Sequence, residues 1–280
     1  MQEIVVINDD SVESFRAAEY AYNLAVTYEK NIVIVNIKAT EEKKKIYSTV
    51  EVHDLLYHVI SSDEISLTSD VGEHLRSLRR DHGFSPQVRP FSEAGCNEKK
   101  LTSYINSNPV WLIVMPAAVE ENEMRRALKL NMQAVINRVQ CPVMIIPGEV
   151  VQKPVERIVY LADLRYAQIP VLRYLAKFDK HDENIILAHH CASGLPELDR
   201  GYAKDLFASG LCNNVRSKRI FFTQMTERKM DVVVDAAIHG MQADLLVCVN
   251  RHFHFNELVG KNIMCKLPSY VNIPVLIFPN

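Results

Sequence analysis

With 280 residues, 48% hydrophobic and 24% charged, the chain is long enough for two domains with cores of their own and too apolar for disorder. Its formal net charge of −2 divides into −5 over residues 1–150 (16 Lys and Arg against 21 Asp and Glu) and +3 over residues 151–280 (16 against 13). Neither half carries the concentrated basic face that nucleic-acid binding needs, and the longest apolar runs are about strand length, too short to cross a bilayer.

In chain order, residues 3–11 (EIVVINDDS) read as an apolar strand running into Asp9. Asp10 and Glu13 have capping-box spacing, and Phe15, Ala18, Tyr22, Ala25 and Tyr28 recur at helical spacing. A second strand, NIVIVNI at 31–37, follows, so the opening is a parallel βαβ unit. After the segment IYSTVEVHDLLYHVI come a predicted helix near 62–82 ending at Gly83, a strand at Gln87–Phe91 and a helix near 97–107. The fourth strand is WLIVM at 111–115, then a helix near 128–139 and a last strand at Val143–Ile146. A short linker runs from about Pro147 to Pro154.

The second half says the same again. Strand RIVYLADLR (157–165) reaches Asp163, Ile169, Leu172, Leu175 and Phe178 mark a helix, and NIILAHH (184–190) is the second strand. Ile220–Thr223, a helix near 231–240, DLLVC (244–248), a helix near 259–270 and Val275–Phe278 complete it. The offsets between matching strands are 154, 153, 133 and 132, a duplication of domain size. The expected fold class is α/β: two tandem doubly wound domains, 1–150 and 151–280, each a five-stranded mostly parallel sheet with four helices.

The order of elements and these residues together resemble the universal stress protein family. Asp9 and Asp163 match the aspartate that ends that family's first strand, and His189 matches a histidine ending its second. Asp244-Leu245-Leu246-Val247 match its fourth strand, and Cys141-Pro142-Val143 and Ile273-Pro274-Val275 introduce its last. The resemblance covers nearly the whole chain, once per half. It implies an adenine nucleotide α-hydrolase-like fold and a last strand that pairs edge to edge, which a tandem chain satisfies internally as a pseudo-dimer between Val143–Ile146 and Val275–Phe278.

The chain departs from the family where nucleotide is held. Nucleotide-binding members follow the fourth strand with Gly-x-x-Gly and, about nine residues on, Gly-Ser or Gly-Thr, because glycine lets the backbone approach phosphates and a helix N-terminus offers free N–H groups. In the first half those places hold Pro116, Val119 and Lys129-Leu130, with Glu120, Glu121 and Glu123 adding negative charge. In the second half Asn250 and Phe253 replace the first two glycines. His252 stands where the family often has histidine, and Gly260, Lys261 and Asn262 lie near the last motif. Arg251, His252, His254 and Lys261 can offer positive charge and donors to an anion. The candidate binding set is therefore Asp163, His189, Arg251, His252, Gly260, Lys261 and Asn262. Asp163 reads equally as ligand-facing and as a turn aspartate, and for Asp10 the helix-cap reading is favoured.

Other chemistry has less behind it. Arg251-His252-Phe253-His254-Phe255, His189-His190 and His239 lack the spacing of a zinc site, and no Gly-x-Ser-x-Gly elbow is present. The six cysteines (96, 141, 191, 212, 248 and 265) form no CxxC pair, and the N-terminus enters a strand at once, which predicts no signal peptide and a cytoplasmic protein with reduced thiols. The expectation is a non-enzymatic stress-response or regulatory binding protein with degenerate nucleotide loops, no catalytic residue, no metal and no resident cofactor. Its partner would be another protein, with neither nucleic acid nor membrane, and the tandem chain is compatible with a homodimer. Two alternatives stay open: an ATP-binding switch that uses the second domain, and a nucleotide-hydrolysing enzyme.

Overall fold

The computed structural model describes residues 1–9, 11–37, 71–78, 83–91, 96–117, 131–178, 184–191, 195–215, 219–227, 229–250, 252–259 and 267–280. Five strands come from the first half: β1 (Glu3–Asn8), β2 (Asn31–Asn36), β3 (Val88–Pro90), β4 (Val110–Pro116) and β5 (Val143–Ile146). The second half supplies β6 (Arg157–Ala162), β7 (Asn184–His190), β8 (Ile220–Met225), β9 (Leu245–Val249) and β10 (Val275–Phe278). All ten join one sheet in the order β3-β2-β1-β4-β5-β10-β9-β6-β7-β8. Each half thus has the same strand order, with every neighbour parallel inside it.

At the middle the two halves meet antiparallel, Val275 opposite Ile145, Leu276 opposite Met144 and Ile277 opposite Val143. This is the edge pairing expected from the two apolar last strands. An edge of VMII or VLIF left in water would template aggregation, and the two close one another instead, so the two five-stranded half-sheets are continuous.

Among the described residues there are eight α-helices: α1 (Val12–Tyr28), α2 (Val71–Ser77), α3 (Glu98–Ser107), α4 (Met132–Ile136), α5 (Ile169–Leu175), α6 (Arg200–Asp205), α7 (Met230–Asp235) and α8 (Phe253–Leu258). Because strand side chains alternate, Val5 and Ile7 face one layer and Ile4 and Val6 the other. The first layer is completed by Leu101 and Ile105 of α3, Val135 and Ile136 of α4, Val233 and Val234 of α7, and Phe255 and Leu258 of α8. The second takes Ala17, Ala21 and Leu24 of α1, Leu75 of α2, Leu172 and Leu175 of α5, and Ala203 of α6. Helices on both faces are the doubly wound arrangement predicted. Both layers run unbroken across the seam, since β5 and β10 contribute to each.

Two local expectations change. The cap of α1 is Ser11, whose Oγ accepts from the Ser14 N–H at 3.1 Å, and Ser11 is itself held by Asp9. The helix therefore starts a residue later than the Asp10–Glu13 pair implied; Asp10 lies outside the described residues. The helix after β9 is Phe253–Leu258, and residues 267–270, at the end of the expected 259–270 helix, are irregular or in a turn. Phe255 and Leu258 reach the core directly from the strand end, and Pro268 cannot continue a helix. The segment IYSTVEVHDLLYHVI lies outside the described residues.

Rings lock the seam on one face. Trp111 packs between Tyr28 (centroids 5.1 Å), Phe178 (5.3 Å) and Tyr174 (6.0 Å, stacked), and Tyr174 meets Phe278 edge-on at 5.1 Å. The Tyr174 hydroxyl donates to the Trp111 carbonyl at 2.9 Å, and the Tyr28 hydroxyl to the Phe178 carbonyl at 3.2 Å. Trp111→Ala is expected to cost about 3–5 kcal/mol and Tyr174→Phe about 1 kcal/mol. Urea unfolding should show each as a shift of one shared transition; a second, unshifted transition would mean that the halves are not coupled through these rings.

Candidate functional site

Open α/β sheets present ligand crevices at strand C-termini where the strand order reverses. Here those points lie between β1 and β4 and between β6 and β9. Because the halves are antiparallel, they open at opposite edges of the sheet.

At the first point the polar groups serve one another. Asn8 Nδ2 donates to Asn36 Oδ1 at 2.7 Å, and the Ser14 hydroxyl donates to Asn8 Oδ1 at 2.7 Å. Asp9 Oδ1 accepts from the Ser11 N–H at 3.2 Å and from its hydroxyl. Asp9 is a turn aspartate that fixes the cap of α1. β4 ends in Pro116, and the next N–H, of Ala117, is spent on the Ile146 carbonyl at 2.8 Å. Val119, Glu120, Glu121, Glu123, Lys129 and Leu130 lie outside the described residues.

At the second point Asp163 stands directly after β6, almost fully buried. The Arg165 guanidinium grips both of its oxygens, with Nε 2.8 Å from Oδ1 and an Nη on Oδ2, and the Arg165 N–H donates to Oδ1 at 3.0 Å. Burial alone would raise the Asp163 pKa; the hydrogen bonds and charge of Arg165 outweigh it and hold the carboxyl below the usual range. The same guanidinium reaches the Cys191 sulfur at 2.9 Å and the Pro196 carbonyl at 3.1 Å, so it is wedged in place. His189, buried at the end of β7, accepts the Leu164 N–H on Nδ1 at 3.2 Å, next to Asp163. Burial lowers its pKa, with Asp163 pulling the other way.

Two residues close the crevice from either side. Tyr166, after β6, meets the ring of His252, after β9, edge-on at 6.2 Å, and His252 Nε2 lies 3.3 Å from Asn280 Oδ1. Asn250, where the family's first phosphate-loop glycine would stand, is 2% exposed and points away from the crevice. Its Nδ2 donates to Asn137 Oδ1 at 3.0 Å and to the Ile136 carbonyl at 3.4 Å, at the end of α4 in the other half. The amide is a strut across the seam.

Of the expected binding set, Asp163 and His189 are brought together, and His252 contacts Tyr166 and Asn280. Arg251, Gly260, Lys261 and Asn262 lie outside the described residues. Sequence reasoning missed Arg165, although Asp-x-Arg in one turn is a legible ion-pair signal, and it missed Asn250 as a strut. It also missed a pair on the opposite face: His190 Nδ1 and His254 Nε2 lie 3.1 Å apart, both buried, with Phe253 against His190 at 5.9 Å. His190 Nε2 has no hydrogen-bond partner among the described residues. Burial and then the neighbouring His190 push His254 down to about 3, and burial lowers His190 as well. Burial pushes the thiols of Cys141 and Cys248 up to about 12, which leaves them unreactive at neutral pH. Among the described residues no cluster of three or more His, Cys, Asp or Glu could hold a metal, and no helix is long and apolar enough to cross a membrane.

A family model described as the universal stress protein family matches residues 1–147. Among solved structures, the chain is similar to a universal stress protein from Archaeoglobus fulgidus DSM 4304, with 12% identity, a TM-score of 0.57, and 99% of this chain and 96% of that one covered. It is also similar to a functionally unknown protein from Pseudomonas aeruginosa PAO1 (12% identity, TM-score 0.48, 100% and 92% covered) and to the universal stress protein UspA from Lactobacillus plantarum (16%, 0.32, 52% and 96%). At 12% identity the Archaeoglobus structure speaks for the fold alone. No curated protein matches the chain.

The buried histidines set a pH dependence. Their folded pKa values lie below the unfolded value of about 6.5, so below that pH the unfolded chain binds more protons and stability falls. Above it their contribution is fully present. Asp163 acts lower, its stabilisation being lost only as pH drops below the ordinary carboxylate value of about 3.9. The urea midpoint is expected to fall from pH 7 to pH 4.5. His254→Gln should flatten that slope by about one proton, or about 1.4 kcal/mol per pH unit. An unchanged slope would show that His254 titrates normally in the folded chain.

Proposed function

Because the chain belongs to the universal stress protein family, we propose that it is a stress-response or regulatory protein that works by binding another protein and not by catalysis. In this reading residues 1–150 and 151–280 are tandem domains that form an intramolecular pseudo-dimer, and both nucleotide loops are degenerate. The observation that carries it is the fate of the second switch point. Asp163, the group nearest the family's nucleotide position, is gripped at both oxygens by Arg165. Asn250 stands in the place of a phosphate-loop glycine and is committed to the seam. A ligand arriving there would have to displace a half-buried, charge-assisted fork and the Tyr166–His252 contact. The first switch point supports the same reading, since its strand ends in a proline without an N–H to offer.

The ATP-switch alternative draws on one observation: Asp163 and His189 remain side by side at a strand C-terminus, with the Arg165 cation beside them. Calorimetric titration of ATP, with and without magnesium, into protein checked for carried-over nucleotide separates the two. The expected result is neither heat nor carried-over nucleotide. Micromolar binding with a stoichiometry of one, lost in Asp163→Ala, would overturn the degenerate-loop reading in favour of the switch.

A further inference from the structure

The sheet has two outer strands, and they are finished differently. β3 is three residues long, carries Arg89 and ends in Pro90, three features that blunt an edge against further pairing. β8 is six residues long, reads IFFTQM, contains no proline, and among the described residues has one ladder neighbour, β7. Phe221 on it is 51% exposed. We propose that β8 is a homotypic docking edge, on which two copies of the chain pair antiparallel about a dyad at Thr223.

The backbone fits this register. The Ile185 N–H donates to the Arg219 carbonyl, so Arg219 turns its backbone groups to β7. With a period of two, Phe221, Thr223 and Met225 do likewise, and Ile220, Phe222 and Gln224 direct N–H and C=O outward. A dyad at Thr223 sets Phe222 opposite the second copy's Gln224, and so pairs outward-facing residues with outward-facing residues. Thr223 then faces its own copy as a close, non-hydrogen-bonded pair, a favourable cross-strand match.

The side chains select this register over its neighbours. Exposed Phe221 falls opposite Met225 of the second copy, at the rim of the core layer that holds Met230 and Val233. At the ends Arg219 falls opposite Glu227, and symmetry makes this ion pair twice. Both residues are exposed. Arg219 has an interaction within its own chain, and the pairing needs only that the second copy's Glu227 come alongside. Shifting the dyad by half a residue, to lie between two residues, would pair outward with inward backbone groups, and shifting it by one or two residues would lose the charge match. The stack of Phe207 on Phe222 (centroids 5.1 Å) holds the other face of the strand firm. This inference does not depend on the fate of the nucleotide loops.

Sedimentation velocity on the full chain, from about 1 to about 100 µM, tests it. A concentration-dependent dimer is expected. Glu227→Arg and Arg219→Glu should each weaken it about tenfold, by turning two attractive pairs repulsive, and the double variant should return to within about threefold of the original. On the unaltered chain, hydrogen exchange at the amides of Ile220, Phe222 and Gln224 should slow as concentration rises. A monomer throughout overturns the proposal and leaves the edge to a strand of some other protein. A dimer indifferent to the reversals, or one whose outward amides gain no protection, places the contact elsewhere and overturns it equally.

Discussion

The antiparallel union of β5 with β10 is the constraint from which the remainder follows. Each strand is apolar on both faces and lies at the end of its own half-sheet, so neither half could leave it in water. Joining them merges two half-sheets into one and makes both helix layers continuous from α1 to α8. The Tyr28, Trp111, Tyr174, Phe178 and Phe278 rings bury one side of the join, and the polar strut from Asn250 to the end of α4 fixes the other end of β9. Because the pairing is antiparallel, the C-terminal end of every strand in one half lies beside N-terminal ends in the other. That is why a residue just past β9 can reach Asn137, just before β5.

This proximity bears on the lost glycines. A glycine after β9 would leave backbone free to approach a phosphate but would offer nothing to α4. Asn250 does the reverse: its amide satisfies the cap of a helix in the other half, and its burial keeps it from turning back toward the crevice. A buried amide released from its partners would carry a desolvation penalty of roughly 1–3 kcal/mol, so the seam and a nucleotide loop compete for this one position. Arg165 makes a second commitment of the same kind. Its fork neutralises Asp163 and ties the turn after β6 to Cys191 and Pro196.

Much of the fold was legible because strands buried on both faces read as unbroken apolar runs, and all ten were anticipated to within a few residues. The β5–β10 pairing was legible for the same reason, since VMII and VLIF have no other acceptable fate. The cap of α1 was misjudged because two aspartates and a serine compete within three residues, and Asp9 settles the matter by binding Ser11. The early helix at Phe253–Leu258 was missed because residues 251–255 drew attention for their histidines and positive charge, whereas Phe255 and Leu258 have the three-residue spacing that buries one helix face. The site was less legible. Asp163 and His189 follow from strand ends, but His190 meeting His254, 64 residues on, is a product of packing that no local pattern announces.

Once the apolar edges have consumed one another, association of the ten-stranded sheet through strand pairing falls to its outer strands. A tandem chain differs here from a single domain, whose last strand remains free to pair with a second copy. The short, proline-ended β3 and the longer, proline-free β8 show that the two halves, alike in strand order, are finished differently at their rims. The same asymmetry appears at the switch points, where the first half closes with an Asn–Ser chain and the second with a half-buried ion pair. The repeated order of strands and the apolar seam hold the halves to one architecture. Their crevices and outer edges, free of that packing constraint, have diverged, and those are the places where two such halves can take different roles.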